Sequence, residues 1–131
     1  MADLVREATP VARKTHRCDD CQRFIERGTR YRRAFIVDGG DAWSWVSHQD
    51  CADLAWAVHQ ESHGRYADEE EMTPLIDEEP EYLDAFRGKF PHAVCRVEYS
   101  HQIAEIRNED RLAAYLAARS TPALPREGDA P

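Results

Sequence analysis

The stretch from Cys18 to Cys51 decides the fold, because it opens on Cys18-Asp19-Asp20-Cys21 and closes on His48-Gln49-Asp50-Cys51. Each end is a pair of metal-ligating residues with two positions between its members, and twenty-six residues separate Cys21 from His48. A cysteine pair on a tight turn aims both thiolates at one point, and the first turn of a helix does the same for a histidine and a cysteine three positions apart. A Cys3His set satisfies tetrahedral zinc, with sulfur at about 2.3 Å and nitrogen at about 2.0 Å, and leaves no coordination position open. The spacing therefore predicts one structural zinc held by Cys18, Cys21, His48 and Cys51.

For the two pairs to meet, the chain between them must double back. Phe24 and Ile25 begin a short extended piece, and a turn follows at Glu26-Arg27-Gly28. Thr29 to Val37 alternates as a strand does, with Tyr31, Arg33, Phe35 and Val37 on one face and Arg30, Arg32, Ala34 and Ile36 on the other. Asp38-Gly39-Gly40-Asp41 has the turn chemistry of a hairpin. Ala42 to Ser47 returns as the second strand, with Trp43 and Trp45 together on a face expected to join the core.

Ser47 and Asp50 fit a capping box that starts a helix at His48, running to about Ser62 and stopping at Gly64. Cys51, Leu54, Ala55 and Val58 share its inner face, while Trp56, His59 and His63 point elsewhere. The order knuckle, hairpin, helix predicts an α+β chain: a treble-clef zinc finger followed by a small acidic α/β lobe.

Within residues 15–60, the CDDC knuckle, the Ile25 to Gly28 turn, the aromatic hairpin and the HQDC pair resemble the zinc fingers of poly(ADP-ribose) polymerases. They are also similar to small treble-clef proteins of bacteriophage and prophage genomes. The first resemblance implies recognition of nucleic-acid ends, through a surface built here from Arg13, Lys14, Arg30, Arg32 and Arg33. The second implies an inhibitor or regulator of a host protein.

Composition makes the metal more than an ornament. Leu, Ile, Val and Phe together number 23 of 131 residues and the formal net charge is −8, a balance that borders on disorder. Structural zinc contributes about 10–16 kcal/mol of folding energy in small fingers, so the first half is expected to need its ion to fold. The beginning of the sequence lacks the basic and apolar regions of a secretory signal, and reduced cysteines suit a cytoplasmic metal protein.

Charge is lopsided: residues 1–40 carry nine Lys or Arg against six Asp or Glu, whereas residues 65–84 hold nine acids and, after Arg65, no base. Among those acids, Asp68, Glu69, Glu70, Glu71, Asp77, Glu78 and Glu79 form a candidate partner-binding surface that imitates a phosphate backbone. On charge grounds a protein partner is favoured over nucleic acid. The expected organisation is a flexible arm (1–14), the zinc module (15–64), an acidic helix-strand-helix lobe (65–120) and a disordered tail (121–131).

In the lobe, Pro80 opens a short helix through Phe86. Ala93 to Ser100 alternates as a strand with Cys95 buried, His101 to Arg107 is open between strand and helix, and Asn108 caps a last helix whose apolar face is Leu112, Tyr115 and Leu116. His92 and Cys95 repeat the ligand spacing and His59 and His63 lie four apart, a second metal site on paper. No phosphate loop, nucleophile signature or paired His and Asn of a treble-clef nuclease accompanies the finger, so no catalytic activity is expected.

Overall fold

A computed structural model of the chain describes residues 2–64 and 72–120. The chain divides into two compact units, Met1–Ser100 and His101–Pro131.

The first unit is a mixed α+β fold built on a β-hairpin. Strands β4 (Tyr31–Asp38) and β5 (Asp41–His48) pair antiparallel from Tyr31 opposite His48 to Asp38 opposite Asp41. Only Gly39 and Gly40 connect them, both with positive φ (56° and 96°), the two-residue turn whose twist matches its strands. Strand β1 (Ala2–Ala8) adds to the free edge of β4, giving the order β1-β4-β5, with the register shifting between Leu4 and Arg6.

The N-terminal residues are therefore part of the sheet, where a flexible arm was expected. The reason is the edge of β4, whose unpaired backbone groups need partners. Side chains reinforce the pairing: Arg32 forms an ion pair with Glu7, and Arg30 Nη1 donates to the Thr9 carbonyl at 2.9 Å.

Strands β2 (His16–Arg17) and β3 (Phe24–Ile25) pair across the CDDC turn and make the knuckle. Helix α1 (Gln49–His63) follows β5 directly and ends at Gly64, whose φ of 59° is the conformation a glycine adopts most cheaply. Its start differs from the expected capping box. His48 holds the N-cap position without a side-chain bond, and Ser47 is fully buried and committed to Asp20. The inner face of α1 is Cys51, Ala52, Leu54, Ala55, Val58 and, against expectation, His59, which is 2% exposed.

After a 3-10 turn at Leu75–Asp77 and the short helix α2 (Pro80–Ala85), the chain enters α3 (Pro91–Ser120). The expected strand at 93–100 is thus helix, and Asn108 lies within that helix and caps nothing. Alternation placed Cys95, Val97 and Tyr99 inside. The buried residues are instead Ala93, Val94, Val97 and Ser100, at helical spacing, while Cys95 and Tyr99 are exposed.

The core collects Ile25, Tyr31, Leu54, Val58, Leu75, Leu83, Val94 and Val97 around Cys18, Cys21 and Cys51. The thiols are core residues as much as the aliphatics are.

The second unit contains the later part of α3. There Ile106, Leu112, Tyr115 and Leu116 are each at least half exposed, and Arg119 Nη1 donates to the Tyr115 hydroxyl at 2.8 Å. Among the described residues no helix is long and apolar enough to cross a membrane.

Candidate metal centre

Knuckle and helix deliver their ligands to one point: one ligand atom from each of Cys18, Cys21, His48 and Cys51 lies within 4.8 Å of all the others. His48 Nδ1 is 3.4 Å from Cys21 Sγ and 3.7 Å from Cys51 Sγ. A tetrahedral ion with bonds of about 2.3 Å to sulfur and about 2.0 Å to nitrogen places those atoms roughly 3.5 Å apart. The donor set therefore fits a single tetrahedral metal in both chemistry and spacing.

Surrounding groups fix each donor. His48 Nε2 lies 3.1 Å from the Phe24 carbonyl, which only accepts, so that nitrogen carries the proton and Nδ1 turns its lone pair towards the thiols. The Cys21 amide approaches Cys18 Sγ at 3.5 Å and the Arg23 amide approaches Cys21 Sγ at 3.4 Å. Gln22, between them, takes a positive φ of 65° to bring those amides round. Arg96, from α3, donates to Cys51 Sγ at 3.3 Å and pairs with Asp50.

The electrostatics reflect three thiols crowded together. Hydrogen bonds from Cys18 and then Cys51 hold the Cys21 thiol down to about 3, whereas its bonds with Cys18 and Cys21 push Cys51 up. Three thiolates this close repel one another, and a bound cation would offset that repulsion. Burial opposes the charge on Arg96, but Cys51 and Asp50 more than offset it and raise its pKa.

The two acids inside the knuckle are anchors that the sequence pattern did not single out. The Asp19 amide donates to the Val46 carbonyl at 2.8 Å, and the Asp19 carboxylate accepts the Val46 amide at 2.8 Å. Asp20 is 3% exposed and accepts from Ser47 Oγ (2.6 Å), Trp45 Nε1 (3.4 Å) and the Leu75 amide (3.3 Å). Burial pushes its pKa up to about 6, against the bond from Ser47. Ser100 Oγ, from α3, donates to the Cys21 carbonyl at 2.6 Å. Two adjacent acids between ligands were the available signal for Asp19 and Asp20; nothing local to Arg96 or Ser100 advertised their roles.

The other candidate residues are placed differently. Asp68, Glu69, Glu70 and Glu71 lie outside the described residues. Asp77 and Glu79 are exposed, and Glu78 is half-buried, with its pKa raised chiefly by that burial. Arg13, Lys14, Arg30 and Arg33 are exposed, but Arg32 and Arg33 leave β4 on opposite faces, so the basic residues do not share one strand face.

His59 and His63 stack with ring centroids 4.2 Å apart, while His92 and Cys95 are exposed on α3. Among the described residues these four do not converge as a second metal group. Trp43, expected in the core, is 40% exposed.

Searches against protein-family models, curated proteins and solved structures find no match to this chain.

Proposed function

We propose that the chain is a non-catalytic protein-interaction module of treble-clef type, stapled by one structural zinc. The observation that carries this is the closed donor set. Four ligand atoms lie within 4.8 Å of one another, enough to fill the coordination sphere of a tetrahedral ion; three belong to fully buried cysteines, and Phe24, Arg23 and Arg96 satisfy their outer atoms. Three thiolates and one imidazole favour zinc over hard cations, and a filled coordination sphere provides no site for a substrate. The ion would supply folding energy, while the chain's own residues supply the binding surface.

The partner reading is a protein, in the sharpest form a nucleic-acid-handling host protein that a phage-type inhibitor blocks. The acidic run supports it: Asp77 and Glu79 are exposed, and the 3-10 turn that ends at Asp77 is tied to the knuckle by the Ile76 amide donating to the Asp20 carbonyl (2.9 Å).

Two measurements test the proposal. Cobalt substitution should give the intense visible bands of a tetrahedral thiolate site, and an octahedral spectrum would overturn the zinc assignment. In gel shifts at low salt, single- and double-stranded DNA should stay unbound at micromolar protein. Tight binding that weakens steeply with salt would replace the protein partner with nucleic acid.

A further inference from the structure

Asp20 has a second property besides anchoring the knuckle: it is a buried carboxylate whose three hydrogen-bond donors, Ser47, Trp45 and the Leu75 amide, are all neutral. Among the described residues it has no ion pair. Buried charges are ordinarily paired. A carboxylate also offers about four acceptor positions, so one remains after these three bonds.

The carboxylate lines a cleft of about 200 Å³ between the sheet, α1 and residues 72–74. The cleft exists because Ala34, Ala52 and Ala55 put methyl groups where larger side chains would fill the space. Trp43 and Trp45 wall it, adjacent along one face of β5. Arg32 also lines it but is paired with Glu7. The volume is below the roughly 300–1,000 Å³ of small-molecule sites and suits one large side chain.

We propose that this cleft receives the guanidinium of an arginine presented by a protein partner, with its charge on the Asp20 carboxylate and its plane against the indoles of Trp43 and Trp45. Charge complementarity selects the occupant: an apolar side chain would leave Asp20 buried without a countercharge, and indole faces attract cations. Arginine suits the site better than lysine because its guanidinium is planar, weakly hydrated and stacks on aromatic rings. The assignment rests on the protein-partner reading above and names the side chain that the partner inserts.

The test uses the full zinc-loaded chain, following its indole N–H resonances during titration with a tri-arginine peptide and, separately, a tri-citrulline peptide of the same shape without the charge. The Trp43 and Trp45 signals should shift saturably with arginine while Trp56, outside the cleft, stays still. Citrulline should bind at least about tenfold more weakly, the scale of a desolvated cation on an indole plus a charge-assisted bond. Trp43→Ala, at an exposed position, should abolish the arginine-dependent shift of Trp45, and Asp20→Asn should do the same if it folds.

Equal binding of the two peptides, arginine shifts that survive Trp43→Ala, or no shift at all would each overturn the proposal. Zinc content measured on the same sample separates the readings. One zinc per chain without arginine binding defeats only this cleft, whereas a metal-free folded chain defeats the module itself.

Discussion

Arg96 donates to Cys51 Sγ at 3.3 Å across forty-five positions of sequence, and the same guanidinium pairs with Asp50. A zinc ion on three thiolates and an imidazole would carry one net negative charge, and this guanidinium, shared with Asp50, would offset part of it from α3. With Ser100 on the Cys21 carbonyl and Tyr99 5.0 Å beneath the Arg23 guanidinium, it makes the metal centre the place where the first part of α3 is fastened.

Arg96→Met should therefore loosen the ion without touching a ligand. Outer groups of this kind change metal affinity by about 10–100-fold, so zinc release to a chromogenic chelator should accelerate by about tenfold or more. Arg96→Lys should lie between the two, keeping the charge but losing the fork geometry. Release unchanged in Arg96→Met would show that the guanidinium merely covers the site.

Asp20→Ala strands three donors: the Ser47 hydroxyl, the Trp45 indole and the Leu75 amide. Each buried unsatisfied group costs about 1–3 kcal/mol, so the zinc-loaded variant should lose at least about 2 kcal/mol in urea unfolding. A loss below about half a kilocalorie would mean that water replaces the carboxylate.

Gln22 holds a positive φ of 65° at the knuckle. Gln22→Gly should leave stability unchanged or raise it by up to about 1 kcal/mol, whereas the β-branched Gln22→Val should lower both stability and zinc affinity. The comparison is read from thermal unfolding of the two zinc-loaded variants, and equal midpoints would contradict it.

What the sequence disclosed follows from the range of the forces involved. The ligand pairs and Asp38-Gly39-Gly40-Asp41 are local patterns with a single economical geometry, so the metal cluster and the hairpin could be read directly. The helix at 93–100 was hidden because Cys95, Val97 and Tyr99 mimic a strand over a short window, and only the packing of Ala93, Val94, Val97 and Ser100 selects the helical period. Strand β1 was hidden for another reason. Residues 2–8 hold three charges and show no strong alternation, and they pair because β4 presents an edge. His59 looked like polar surface, yet it sits within the inner face of α1.

Acid should release the metal, because Cys18, Cys21 and Cys51 must be thiolates to bind it and protons compete for the same lone pairs. Affinity then falls as pH drops below neutrality. Zinc retained with unchanged affinity from neutral pH to about pH 4 would contradict thiolate ligation.

If one ion holds the first unit together, elemental analysis of the purified chain, paired with far- and near-ultraviolet circular dichroism before and after a strong chelator, should show both the ion and its consequence. One zinc per chain, with tertiary signal lost on chelation and regained on adding zinc, is the predicted result. A metal-free chain with the same spectra would contradict it.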